Sequence, residues 1–110
     1  MAKLPTGAFK DLQKRIYQNK VSHGFNIIGD HVGINQEICH LAEELGELAA
    51  AHRRNDREGV IDGIIDVVVF ALGLLEIMGV DGDTAMEGVL IQNEARKYKM
   101  NPDGSCIKID

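Results

Sequence analysis

Leu41-Ala42-Glu43-Glu44-Leu45-Gly46-Glu47-Leu48 carries its acids and its apolar residues in one helical repeat. Ile38, Leu41, Leu45 and Leu48 recur at three- and four-residue steps, the apolar stripe of a helix expected from Gln36 to about Arg54. Glu44 and Glu47 are three positions apart, so they project from one face. They flank the apolar stripe instead of opposing it, which weighs against a merely solvated face, the plain alternative for any glutamate on a helix.

The next apolar segment supplies the matching half. From Ile64 to Leu75 every residue is apolar or glycine except Asp66. A helix of that composition, expected over Arg57 to Met78, should be buried round most of its circumference. A buried carboxylate without a partner costs several kcal/mol or changes its ionisation state. The positions one turn away are Asp62, Gly63, Val69 and Phe70, and none is a cation. Asp66 therefore calls for a divalent cation shared with Glu44 and Glu47, for a proton, or for Arg53, Arg54 or Arg57 brought in by the fold. Hard cations such as Mg²⁺ prefer all-oxygen sites of this kind. Asp62, one turn before Asp66, could add another oxygen.

The chain has 110 residues, which predicts a single domain over 1–110 with a real but modest core. Its 17 acids against 12 Lys and Arg exclude a general nucleic-acid binder, which would need a basic face. A phosphorylated small substrate stays compatible, provided a metal masks the carboxylates. The apolar run 64–75 is too short to span a bilayer and contains Asp66, so no membrane partner is expected. Met1 to Phe9 lacks a signal-type apolar stretch. Cys39 and Cys106, with no CxxC and no zinc spacing, read as free thiols of a reducing cytoplasm.

Four helices follow from the periodicity: Gly7–Val21, Gln36–Arg54 capped by Asn35, Arg57–Met78 stopped by Gly79, and a fourth opened by a Thr84–Glu87 capping box and running to Tyr98. His23–Gly33 reads as a glycine-rich loop, Asn55-Asp56 as a turn, and 99–110 as a short polar tail turning at Pro102-Asp103-Gly104. Short connections predict antiparallel neighbours. The expected class is all-α, a four-helix bundle-type fold whose core is completed by oligomerisation.

With those residues in place the chain resembles the MazG-type nucleoside triphosphate pyrophosphohydrolases, an all-α superfamily that includes dimeric dUTPases and phosphoribosyl-ATP pyrophosphohydrolases. The superfamily's Glu-Glu-x-x-Glu is matched by Glu43, Glu44 and Glu47. The Asp of its Glu-x-x-Asp is matched by Asp66, followed by the aliphatic run Val67-Val68-Val69-Phe70. His23-Gly24-Phe25 resembles the loop before the first acidic helix in small members. Asn93-Glu94-Ala95-Arg96-Lys97-Tyr98-Lys99 resembles their C-terminal segment. One position departs from the pattern: the Glu of Glu-x-x-Asp falls on Gly63, which leaves Asp62 as the possible substitute.

The resemblance implies a MazG-like fold, hydrolysis of a (deoxy)nucleoside triphosphate to monophosphate and pyrophosphate, Mg²⁺ with Mn²⁺ as a substitute, and a homodimer or homotetramer. It implies Glu44, Glu47 and Asp66 as metal ligands with Asp62 alongside, and Glu43 as the group that orients or deprotonates water. Arg96 and Lys99 would meet phosphates, and Asn93, Tyr98, Phe25 and His23 would contact the rest of the nucleotide. Two rival readings stand beside it. Glu37-Ile38-Cys39-His40 forms half of a di-iron carboxylate motif, but the required second copy of Glu-x-x-His is missing from the sequence. A non-catalytic helical interaction module would use Val67, Val68, Phe70, Leu74 and Leu75 to pair with another chain.

Overall fold

The computed structural model describes residues 7–25 and 29–109. The expectations placed on residues 1–6, and on 26–28 in the middle of the His23–Gly33 loop, lie outside the described residues. Four helices are present: α1 (Ala8–Ser22), α2 (His31–Arg53), α3 (Arg57–Ile77) and α4 (Gly82–Ala95). Two short strands, β1 (Tyr98–Met100) and β2 (Cys106–Lys108), follow them.

α2 and α3 form the spine. The turn between them includes Asn55, whose φ of 57° is left-handed, a conformation that Asn adopts at little cost. Asp56 then caps α3 by accepting from the Gly59 amide at 2.9 Å. The two helices run antiparallel at close range because glycines line the α3 side. A Cβ added at Gly59 would meet Ala51 Cβ at 3.2 Å, and one at Gly63 would meet Leu48 Cβ at 3.1 Å. Nearer the other end, His40 meets Phe70. In this register Glu44 on α2 stands opposite Asp66 on α3.

α1 lies along α3 and is stitched at both ends. The Asp83 carboxylate accepts from the amides of Phe9 and Lys10, capping α1 from α4. Gln13, the most deeply buried residue described, donates from Nε2 to the Val80 carbonyl at 2.8 Å and accepts at Oε1 from the Gly82 amide at 2.9 Å. It thereby satisfies the backbone at the α3–α4 corner. Farther along, Ile16 and Lys20 rest against Gly73.

Several expectations are corrected. α2 begins at His31, capped by Asp30 through the Gly33 amide at 2.7 Å, and not at Asn35. Gly33 lies buried inside the helix, so it is not the loop residue it resembled. α4 is capped by Asp81 and ends at Ala95, so Thr84 is not its cap and Tyr98 is not its end. The direction changes by 115° between α3 and α4, so those two are not antiparallel neighbours. The polar tail forms an antiparallel hairpin, with Lys99 opposite Ile107 and the turn as expected at Pro102–Gly104. The strands pack against none of the four helices.

Helix three is not buried round its circumference in the single chain. Ile61, Ile64, Ile65 and Val68 occur at helical spacing and are exposed, Ile65 by 56%. The buried apolar residues described are Ala51 and Leu72. The radius of gyration is 17.1 Å, against about 13 Å expected of a compact chain of this length. Among the described residues, no single helix is long and apolar enough to cross a membrane.

Candidate functional site

The acidic face is built by the α2–α3 register. Glu43 and Glu44 are neighbours on one turn of α2, Glu47 lies a turn further on, and Asp66 approaches from α3. Glu44 is half-buried, while Glu43, Glu47 and Asp66 are exposed. The burial argument for Asp66 therefore fails in the single chain, because the helix carries more apolar surface than the rest of the fold can cover. The electrostatic argument takes its place.

The Glu44 carboxyl is held above its ordinary 4.5, first by desolvation, then by the charges of Glu47 and Asp66, by hydrogen bonding with Glu47, and by the charge of Glu43. Asp62, one turn before Asp66 on α3, is exposed as Asp66 is. Among the described residues no Lys or Arg pairs with Asp66; Arg54 pairs with Asp56 at 3.9 Å instead. Among the same residues, no three Asp, Glu, His or Cys side chains converge into a ready-made metal cage. The donor set nevertheless fits a hard divalent cation: it is all oxygen, it comes from two helices, and the charges of Glu47, Asp66 and Glu43 all bear on Glu44.

The shift, led by desolvation and added to by repulsion, has a sign. A carboxyl whose pKa is higher in the fold than in the unfolded chain keeps its proton longer when folded. The metal-free protein is then stabilised by this group below pH 4.5, and the contribution is lost as pH rises through the raised value. Melting temperatures of wild type and Glu44→Gln, measured in chelator across pH 4 to 8, should diverge, with wild type falling relative to the variant as pH rises. Parallel curves would show that Glu44 is not under this strain.

The other candidate residues divide into two groups. His23 is folded back on α1, its Nδ1 2.7 Å from the Asn19 carbonyl, where it finishes the helix. Phe25, 63% exposed, is held by its amide to the Lys20 carbonyl. Both sit just past Lys20, which touches α2 and α3. Asn93 lies on the last turn of α4, Arg96 caps it, and Tyr98 and Lys99 belong to β1. With the 115° bend and a rise of 1.5 Å per residue, Ala95 falls about 20 Å from Asp66. These four residues are therefore not brought to the acidic face of their own chain. A cleft of about 310 Å³ lies beside Arg96 and Lys108, and one of about 270 Å³ at the α2–α3 turn; neither is lined by the acidic cluster.

Sequence reasoning overlooked Lys20. Its Nζ pairs with Glu37 Oε2 at 3.0 Å and stands 4.5 Å over the Phe70 ring. Only its position in the last turn of an amphipathic helix could have hinted at that role. His40, set aside as a di-iron ligand, stacks on Phe70 and approaches Glu43.

Known proteins resemble this chain in sequence and in fold. The profile of the phosphoribosyl-ATP pyrophosphohydrolase family matches residues 35–93. A curated relative, the dATP/dGTP diphosphohydrolase of Cyanophage S-2L, is 37% identical over 72 residues. The matched stretch covers 66% of this chain and 65% of that protein, just under two-thirds of the relative's length. Among solved structures, the Cyanophage S-2L MazG-like pyrophosphohydrolase, bound to dGDP and three catalytic Mn²⁺ ions per active site, is similar with a TM-score of 0.67. It is 27% identical, and the match covers 94% of this chain and 98% of that one.

Proposed function

Because the chain belongs to the phosphoribosyl-ATP pyrophosphohydrolase family, we propose that it hydrolyses a (deoxy)nucleoside triphosphate to the monophosphate and pyrophosphate and so controls a nucleotide pool. The observation that carries this reading is the cluster of Glu44, Glu47 and Asp66, unpaired with any Lys or Arg among the described residues and strained by its own charge. A bound Mg²⁺ or Mn²⁺ would neutralise phosphate charge and lower the pKa of an attacking water. Glu44, Glu47 and Asp66 would hold it, with Asp62 contributing directly or through water. Glu43, on the outer edge of the cluster, orients the water or accepts its proton.

Phe25 offers a face on which a base can stack. His23, committed to ending α1, shapes that loop and does not itself act on the substrate. Arg96 and Lys99 suit phosphate contact, Arg in bidentate form. Since they stand away from their own acidic face, we assign them, with Asn93 and Tyr98, to the site of a neighbouring copy. The uncovered face of α3 supports such an assembly, a homodimer or homotetramer. Two exposed thiols, Cys39 and Cys106, fit a reducing cytoplasm.

The deciding experiment is a panel of nucleoside and deoxynucleoside triphosphates with Mg²⁺ or Mn²⁺, starting with the purine deoxynucleotides named for the phage relative. Monophosphate plus pyrophosphate is expected. Stepwise release of orthophosphate, or no turnover on the whole panel, would refute the assignment. The assembly has its own test. Ile65→Asp combined with Val68→Asp puts two charges on the apolar face and should convert the oligomer to monomer by light scattering, lowering turnover at least about tenfold. An unchanged mass would place the interface elsewhere.

A further inference from the structure

Glu37 is a buried acid with no part in the chemistry above. It is 7% exposed, and its carboxylate is matched by Lys20 at 3.0 Å. A buried charge of this kind depends on its partner. The same ammonium stands 4.5 Å from the centroid of Phe70, within cation–π range. Phe70 stacks with His40, centroids 5.9 Å apart and planes inclined at 28°. His40 Nδ1 lies 3.6 Å from Glu43 Oε2. A Cβ at Gly73 would stand 3.4 Å from Lys20 Nζ, so the bare backbone there gives Lys20 its path across α3. The contacts form one line from α1, through α2 and α3, to the outer edge of the acidic face.

The His40–Glu43 contact is exposed on both sides, and exposed ion pairs are weak organisers by themselves. What fixes the imidazole is the ring beneath it, and what fixes that ring is Lys20 held by Glu37. We propose that Lys20 is a positioning residue: by clamping Glu37 and Phe70 it holds His40, and through His40 it sets the orientation of Glu43. The role in turnover rests on the pyrophosphohydrolase reading, but the mechanical coupling does not. Because Glu43 acts on water and not on nucleotide binding, the coupling bears on kcat and spares KM.

The test compares wild type, Lys20→Met, Lys20→Arg, His40→Ala and the Lys20→Met/His40→Ala double variant. Lys20→Met and His40→Ala should each lower kcat about tenfold, the scale of a slightly misplaced catalytic group, with KM within about twofold. The double variant should be no slower than the worse single one, since both break the same line. Lys20→Arg, which keeps charge and ring contact, should restore kcat to within about threefold. Multiplying effects in the double variant, a wild-type kcat for His40→Ala, or a loss expressed in KM would overturn the proposal. If Lys20→Met does not fold, Lys20→Met/Glu37→Gln leaves no buried charge and takes its place. A second readout needs no turnover: the carboxyl ¹³C resonance of Glu43 and the ring protons of His40 should shift in the Lys20 variant, and an unmoved Glu43 signal would refute the coupling. Wild type inactive on every nucleotide would sink the enzymatic reading alone.

Discussion

Glu47→Gln and Asp66→Asn should each reduce pyrophosphohydrolysis on the order of a thousandfold or more, beyond the 10–100-fold typical of residues that merely support a metal ligand. Each removes a full negative charge and one of the hard oxygens on which the cation would rest. Both side chains are exposed, so neither change opens a cavity, and the helical circular dichroism should be retained. Asp66→Asn also relieves the charge pressing on Glu44, so the metal-free variant should melt no lower than wild type. The rival interaction module makes the opposite statement about function: it tolerates the loss of Asp66. A variant that keeps a tenth of the wild-type rate would remove that residue from the site. Added Mn²⁺ should raise the melting temperature of wild type, as any ligand of the folded state does, and should raise that of either variant much less.

The second large effect concerns stability. Gln13→Ala should lower it by about 3 kcal/mol, because it strands two backbone groups at once, one buried and one half-buried, and an unsatisfied buried group costs about 1–3 kcal/mol. The Val80 carbonyl loses its donor and the Gly82 amide its acceptor. For a chain of this size that corresponds to a melting temperature roughly 10 °C lower. Gln13→Glu separates the hydrogen bonds from the loss of volume. The carboxylate can still accept from Gly82, but its other oxygen faces the Val80 carbonyl, so it should rescue only part of the loss. Thermal melts of the three proteins decide the matter. Equal stability of wild type and Gln13→Ala would mean that water replaces the side chain at the corner.

The helices were legible because their stripes are long and their acids keep helical spacing. Their starts were less so. Gly33 imitates a loop residue, yet it is buried within α2 and its amide serves the Asp30 cap. The Thr84–Glu87 pattern imitates a cap, yet Asp81 takes the Asp83 and Thr84 amides first. Strands of three residues flanking Pro102–Gly104 leave too little periodicity to read. The acidic cluster was visible from spacing, but the reason first offered for it was not the operative one. Asp66's apolar neighbours imply its burial, whereas in the fold those neighbours are uncovered and the constrained carboxyl is Glu44, raised first by desolvation and then by its acidic neighbours. The line from Lys20 to Glu43 was invisible because its four members lie on three helices, and no local pattern relates them.

The glycines of α3 settle the fate of the one missing acid. A glutamate restored at Gly63 would have to start from a Cβ 3.1 Å from that of Leu48, so its backbone would be pushed away from α2 before its carboxylate could help. Shortening Leu48 would not relieve this, since its Cα stands 3.2 Å from the same point, so a carboxylate at 63 requires the two helices themselves to part by a few tenths of an ångström. Position 63 thus sets the spacing of α2 and α3 before it can serve the chemistry, and a library that randomises it should return glycine most often.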